Sequence, residues 1–179
     1  MTTEQIIAQI ISIVAVIIYC ISFYGKSKKY FLIYQILLSF LYLAIFILLD
    51  ARVAWICVII GLVRFIIYYL FEKYKAGKKF YIPTSILFGI SVLVILILFW
   101  QTPFDICMLF ANFVYIFIFI FNDIRVIKAG YVFADINFTI YNLVNMAYVA
   151  SIGNMLAIIN AIIFFIIDGR KRKKISLSK

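Results

Sequence analysis

Residues 30–71 read YFLIYQILLSFLYLAIFILLDARVAWICVIIGLVRFIIYYLF, two long apolar runs separated by Asp50-Ala-Arg52. An α-helix rises about 1.5 Å per residue, so about 20 apolar residues cross the roughly 30 Å hydrocarbon core of a bilayer. Strands of a membrane barrel would alternate apolar and polar residues, and these runs do not. The stretch therefore predicts two antiparallel transmembrane helices, which satisfy their own backbone hydrogen bonds in lipid.

The composition extends this prediction to the whole chain of 179 residues. Its hydrophobic fraction is 68%, against about 45–50% in soluble domains. An excess of this size predicts one transmembrane domain over residues 1–179, with apolar surface facing lipid. The predicted spans are Ile6–Tyr24, Tyr30–Leu49, Val53–Phe71, Ile82–Trp100, Phe104–Phe121, Tyr131–Val149 and Ile152–Ile167.

The distribution of charge predicts the orientation. Nearly all of the 17 basic residues fall in the first, third and fifth links and in the tail: Lys26, Lys28 and Lys29; Lys73, Lys75, Lys78 and Lys79; Arg125 and Lys128; Arg170, Lys171, Arg172, Lys173, Lys174 and Lys179. The other side receives Glu4, Asp50, Arg52 and Asp105. Positive charge is retained on the cytoplasmic side, so we expect an inner (cytoplasmic) membrane protein with its N-terminus outside and C-terminus inside.

This charge pattern also bears on partners. The net charge is +10, but it is divided among short links instead of covering one soluble face, which argues against nucleic-acid binding. We expect the lipid bilayer to be the partner, with the basic tail over residues 170–179 lying against anionic headgroups.

An internal comparison at an offset of 100 residues suggests a repeat. Lys28 falls on Lys128, Gln35 on Asp135, and the segment 65–67 on the identical segment 165–167. The prediction is a parallel 3+1+3 arrangement. Its first three-helix repeat covers residues 4–75, its linker helix residues 80–101, and its second repeat residues 103–169.

Polar side chains recur within several spans at helical spacing, which places them on one face of each helix. Such side chains often join helices by hydrogen bonds, and a common polar cavity between facing stripes is the alternative interpretation. The predicted solute-binding residues are Gln9, Gln35, Asn112, Asn142, Asn145 and Asn160.

Two charged residues lie inside predicted spans. Arg64 is late in span 3, Asp135 is a few residues into span 6, and both are predicted about 7–12 Å from the cytoplasmic surface. A charge at that depth needs a partner or water. We expect the two side chains to pair or to flank a polar cavity. The alternative is that Arg64 extends to the headgroups.

Several short motifs resemble the bacterial inner-membrane YgjV family: residues 5–12 (QIIAQIIS), Ser22-Phe23 before Lys26-Ser-Lys-Lys29, residues 35–37 (QIL), Leu48-Leu49-Asp-Ala51 followed by Arg64, Tyr141-Asn142 and Ser151-Ile-Gly153. That family is similar to the PQ-loop and SWEET-like group of membrane transporters. The resemblance implies parallel three-helix repeats joined by a linker helix, a homodimer as in short relatives, and transport by alternating access. Other members of the wider group are trafficking receptors.

The chain departs from that group at its hinges. The Pro-Gln pair of each repeat is absent, and the nearest counterpart is Gln101-Thr-Pro103 before span 5. Asn160 matches an asparagine of sugar-transporting relatives, whereas the corresponding region of span 3 has Gly61. The resemblance therefore implies no sugar specificity.

The sequence leaves two functional hypotheses. The first is a carrier for a small polar solute, in which Asp135 couples a proton. The second is a non-transporting receptor or assembly partner, which predicts a filled interior. An enzyme is not expected, because the chain has no histidine and no serine or cysteine beside a general base. Its three cysteines stand apart, so no metal site and no cofactor is predicted.

Overall fold

The computed structural model describes residues 2–24 and 27–177, and for Lys78 and residues 171–177 it describes the backbone alone. Within these ranges the chain forms seven α-helices, one short 3-10 helix and no strand. The helices are α1 (Thr3–Ser22), α2 (Lys28–Leu48), α3 (Arg52–Lys73), α4 (Lys78–Phe99), α5 (Asp105–Phe117, extended by the 3-10 helix Ile118–Ile120), α6 (Ile124–Val144) and α7 (Tyr148–Leu177).

Five of these helices are long and apolar enough to cross a membrane: α1, α2, α3, α4 and α7. The apolar helix Asp105–Ile120 is shorter, and α6 has 21 residues that include two basic residues and Asp135. Both nevertheless expose large apolar side chains, such as Phe110 (55% exposed) and Phe133 (68% exposed). The surface is therefore apolar on all seven helices, while many polar side chains are buried between them.

The helices form a closed ring. Each helix packs against the next along the chain, and α7 returns to pack against α1. A direct contact between α3 and α5 is small, and α4 packs against both of them. The ring thus encloses a space between the first three helices and the last three.

The basic links meet at one end of the bundle, which we call the basic end. Lys28 at the start of α2 pairs with Glu72 near the end of α3 at 2.9 Å, and Arg125 at the start of α6 pairs with Asp168 on α7. Of the predicted basic residues, Lys26 and Lys179 lie outside the described residues, as do the side chains of Lys78 and residues 171–174.

At the opposite end, α2 and α6 finish with the same turn. Asp50 and Met146 both have positive φ angles, 50° and 58°. The backbone N–H of the next residue, Ala51 or Ala147, donates to a carbonyl five residues earlier, at 3.0 Å and 2.8 Å. A left-handed residue of this kind ends a helix by satisfying its last carbonyls.

The sequence prediction of spans 6 and 7 was wrong in its boundaries. The expected span Tyr131–Val149 is helix Ile124–Val144, and residues 150 and 151, which separate the predicted spans 6 and 7, lie inside α7. The predicted span begins too late because the uninterrupted apolar run starts only after the charged residues Arg125 and Lys128. Both residues are within the helix, and each has a partner that offsets the cost of its charge.

Candidate functional site: a cavity between the two halves

A cavity of about 70 Å³ lies inside the ring. Most of its lining comes from α2 and α3, with additional residues from α5 and α6 and one each from α1 and α7. The lining residues are Tyr19, Gln35, Leu38, Ser39, Tyr42, Phe46, Cys57, Val58, Gly61, Arg64, Phe65, Met108, Asn112, Tyr115, Asp135, Phe138, Asn142 and Asn154.

Asp135 lies on the cavity wall and is held by two tyrosines. The Tyr19 hydroxyl donates to its two carboxylate oxygens at 2.6 and 2.7 Å, and the Tyr115 hydroxyl donates to Oδ1 at 3.0 Å. Asp135 is 1% exposed. The carboxylate is therefore solvated by protein hydroxyls contributed by helices of both halves.

Arg64 lines the same cavity and is also 1% exposed. Its guanidinium carbon lies 4.8 Å from the centre of the Phe65 ring, while Nε and Nη1 have no hydrogen-bond partner among the described residues. The described ion pairs, all within 4 Å, do not include one between Arg64 and Asp135. The two charges thus flank the cavity without direct pairing, and Arg64 does not extend to the bundle surface.

Both charges lie deeper than the sequence analysis predicted. Arg64 is nine residues from the end of α3 at Lys73, or about 14 Å. Asp135 is eleven residues from the start of α6 at Ile124, or about 16 Å, instead of a few residues into its span. Their similar depth was expected, but it is near the middle of the bundle.

Three amide side chains of the lining are buried with unpartnered atoms. They are Gln35 on α2 (Nε2), Asn142 on α6 (Nδ2 and Oδ1) and Asn154 on α7 (Nδ2). Asn112 also lines the cavity and donates to the Met108 carbonyl at 2.9 Å. The predicted residues Gln35, Asn112 and Asn142 are therefore brought together here.

The other predicted binding residues lie elsewhere. Gln9 is at the end opposite the basic end, where its amide donates to the Met146 carbonyl and accepts from Val149 N–H. Asn145 caps α6 by donating to the Tyr141 carbonyl, and Asn160 lies beside the Cys20 thiol. Their hydrogen bonds are structural, because these residues serve helix ends and helix–helix contacts.

Sequence reasoning gave too little weight to Asn154 and to the tyrosines around Asp135. Asn154 lines the cavity from α7 but is not among the predicted binding residues. Tyrosine in membrane proteins is common at the interface with water, so Tyr131 on α6 gave no signal. It is 1% exposed, its hydroxyl is unpartnered, and its ring lies 4.4 Å from that of Tyr115.

Two buried lysines cross between the halves near the basic end. Lys28 of α2 donates to the Phe119 carbonyl at the end of the α5 segment, at 2.7 Å. Lys128 of α6 donates to the Phe23 carbonyl at the end of α1, at 2.6 Å, and lies over the Phe164 ring. Each half thus supplies a cation to the helix C-terminus of the other, where the carbonyls attract positive charge.

A family model describing a bacterial inner membrane protein, Imp-YgjV, matches residues 6–171, from the first turn of α1 into the last part of α7. The chain belongs to this family. No curated protein and no solved structure matches it.

Membership in this family agrees with the apolar helices, so the chain is a multi-pass protein of the bacterial inner membrane. In that setting the exposed apolar side chains face lipid, and the cavity lies within the bilayer with polar side chains set in a mostly apolar wall. In the part of the chain that the structure describes, no three His, Cys, Asp or Glu side chains cluster as metal ligands would. The cavity residues offer hydrogen-bonding groups and two charged groups, Arg64 and Asp135, that do not form an ion pair with each other.

Proposed function

We propose that the protein is a carrier that moves a small polar solute across the inner membrane by alternating access. The observation that carries the proposal is the mid-bundle cavity, where Arg64, Gln35, Asn142 and Asn154 have buried polar atoms without partners. Buried polar groups are normally satisfied, and those left over at a cavity indicate a ligand or water. A receptor or assembly protein needs no such site in the middle of the membrane.

The arrangement proposed is 3+1+3, in which α1–α3 and α5–α7 are parallel repeats joined by α4, as in the SWEET-like group. The ring of contacts supports it, since α1 packs on α7 and α3 contacts α5. The matching turns at Asp50 and Met146 are 96 residues apart, and Tyr19 and Tyr115 have the same separation. These pairs favour an offset of 96 residues in place of the 100 of the sequence comparison, and Asp135 then corresponds to Ser39 instead of Gln35. At this offset Ala15, Phe23, Val53 and Ala54 also fall on identical residues.

The proposed topology has all seven helices crossing the membrane, with the basic end cytoplasmic. An odd number of crossings is supported by the meeting of the first, third and fifth links at one end of the bundle. Helix α6 crosses despite its charges, because Arg125, Lys128 and Asp135 all have partners. The N-terminus would then be outside.

Contacts at both ends of the cavity join the two halves. In the proposed mechanism these contacts are the gates that open and close. At the basic end, Lys28 and Lys128 reach the carbonyls of Phe119 and Phe23. At the other end, Gln9 bonds the turn between α6 and α7. Alternating access requires one set to open while the other holds.

Cysteine accessibility tests the proposal without knowledge of the solute. In a background where Cys20, Cys57 and Cys107 are replaced by serine, Asn142→Cys places a thiol on the cavity wall. A small, membrane-impermeant methanethiosulfonate reagent is then applied to sealed vesicles of either orientation. A carrier that alternates exposes this thiol to both sides, so we expect modification from each.

Two control variants calibrate the measurement. Ile97→Cys, at a side chain 76% exposed on the apolar surface, should resist the hydrophilic reagent from both sides. Lys29→Cys, exposed at the basic end, should react from the cytoplasmic side alone. Protection of Asn142→Cys from both sides would contradict the carrier and favour the non-transporting protein.

A further inference from the structure

Several side chains of the cavity lining carry buried N–H groups that have no acceptor among the described residues. Gln35 Nε2, Asn142 Nδ2 and Asn154 Nδ2 are buried N–H groups without an acceptor, and Arg64 adds Nε and Nη1. These groups come from four helices, α2, α3, α6 and α7. Burying so many unsatisfied donors is costly, and a ligand that brings acceptors removes the cost.

The carboxylate of the same cavity is already engaged, because Asp135 accepts from Tyr19 and from Tyr115. An amide oxygen of the lining, Asn142 Oδ1, is buried without a partner as well. Hydrogen bonding alone therefore does not distinguish a ligand of acceptors from a ligand of donors, and the charge of Arg64 decides between them.

The charge of Arg64 favours a ligand that carries a negative charge. A guanidinium stays protonated in proteins, and a buried one requires a counter-charge. The carboxylate that shares its cavity, Asp135, is bonded to tyrosines and lies beyond ion-pair distance. A bound anion would therefore supply the counter-charge that Arg64 lacks.

The planar guanidinium of Arg64 suits a planar anion. Arg64 lines the cavity, and at Gly61, one turn earlier on α3, no side chain covers the guanidinium, since a Cβ added there would be in van der Waals contact with Nη2 at 3.8 Å. Two parallel N–H groups of a guanidinium match the two oxygens of a carboxylate, which is the strongest pairing available to it.

We propose that the solute bound in this cavity is a small monocarboxylate, with its carboxylate on Arg64 and its oxygens sharing the amide N–H groups of Gln35, Asn142 and Asn154. A cavity of about 70 Å³ holds on the order of five to seven water-sized groups, which matches the size of acetate or lactate and is smaller than a sugar. This inference rests on the proposed function only for the transport of the carboxylate across the membrane. Binding of the carboxylate does not depend on transport.

Binding is tested with purified protein in lipid nanodiscs. Acetate and lactate are compared with acetamide and lactamide, which have similar shape and no charge, and with chloride and nitrate at equal ionic strength. We expect the two carboxylates to raise the melting temperature, since a ligand of the folded state stabilises it, and the amides to leave it unchanged. Equal stabilisation by the amides, or none by either carboxylate, would overturn the proposal, as would a larger effect of chloride or nitrate.

Arg64→Met provides the matched variant, because it removes the charge and keeps an apolar side chain of similar length. We expect carboxylate binding to weaken about 10- to 100-fold. Replacing a buried unpaired cation by an apolar residue does not threaten the fold, and Gln35→Met offers a second, uncharged test with a smaller loss. Arg52→Gln is the control: Arg52 is 61% exposed and pairs with Asp50 at the opposite end. Unchanged affinity in Arg64→Met would refute the site.

Uptake of labelled acetate into proteoliposomes separates this inference from the carrier proposal. If carboxylates bind through Arg64 and are not transported, the carrier fails and the anion site stands. If an uncharged solute is transported equally well by wild type and by Arg64→Met, the carrier stands and the anion site fails.

Discussion

In the proposed 3+1+3 arrangement, with an offset of 96 residues, the first three helices correspond to the last three, and the two sets differ in where they place charge. Tyr19 and Tyr115, 96 residues apart, both donate to one carboxylate. That carboxylate, Asp135, has Ser39 as its counterpart in the first half, and Arg64 has Asn160 as its counterpart in the second. Each half therefore contributes one buried charge where the other has a neutral polar residue, which gives the cavity a positive side and a negative side.

The contacts between the halves also differ. α7 lies so close to α1 that a Cβ at Gly153 would overlap the side chain of Val16. The counterpart of Gly153 is Cys57 on α3, which lines the cavity, and α3 touches α5 only slightly. One interface is thus closely packed, while the other leaves the space in which a solute would sit.

The largest expected effect comes from filling the tight interface. Gly153→Ala should destabilise the protein by up to about 3 kcal/mol, because overpacking a close contact forces the helices apart. The measurement is thermal unfolding in nanodiscs. Gly169→Ala, with no atom within 4 Å of the added Cβ, should be neutral or slightly stabilising. An equal loss in both variants would show that the α1–α7 approach is not tight.

The reciprocal lysines provide the next test. Lys28→Met and Lys128→Met should each lower stability by about 1–2 kcal/mol, because a buried carbonyl loses its donor. Lys28 should cost more, since it also pairs with Glu72. Lys29→Met, at an exposed neighbouring position, is the control and should change the melting temperature little. A larger loss at Lys29 than at Lys128 would contradict the bridging role.

The two tyrosines should have unequal effects despite their matching positions. Tyr19→Phe removes one short hydrogen bond shared between the two carboxylate oxygens, at 2.6 and 2.7 Å, and Tyr115→Phe removes a longer one at 3.0 Å. Hydrogen bonds between membrane helices contribute about 0.6 kcal/mol on average, so we expect a loss near that value for Tyr115 and a larger one for Tyr19. Tyr24→Phe, at a ring 75% exposed, is the control. A larger loss of stability in Tyr115→Phe than in Tyr19→Phe would indicate that the hydrogen bond from α5 is the more important one for Asp135.

The smallest effect concerns the turns. Met146→Gly should stabilise the protein by a few tenths of a kcal/mol, because glycine adopts a positive φ without a steric cost. Asp50→Gly should gain less, since aspartate tolerates this conformation better than methionine. Chemical unfolding of both variants measures the difference, with Leu143→Gly inside α6 as a destabilising control. Equal gains would mean that side-chain type does not matter at these turns.

The features that depend on neighbouring residues were predictable. The hairpin of α2 and α3 was expected within a few residues, because hydropathy and helix length are local properties. Helical spacing correctly placed Gln35, Asn112 and Asn142 on inward faces. Gln9 and Asn145 lie away from this cavity, because helical spacing gives the face of a helix and not the position along it where another segment needs a hydrogen-bond partner.

The sequence by itself determined that the chain is helical, lies in a membrane, and gathers its basic links at one end. These properties follow from composition and order along the chain. Only the tertiary structure decided that α6 begins at Ile124 and that two tyrosines donate hydrogen bonds to Asp135. It also showed that Arg64 lies beside a cavity and that its Nε and Nη1 have no hydrogen-bond acceptor in the described part of the chain. The physical reason is that the cost of a buried charge depends on groups far away in the sequence, such as the Phe23 carbonyl under Lys128.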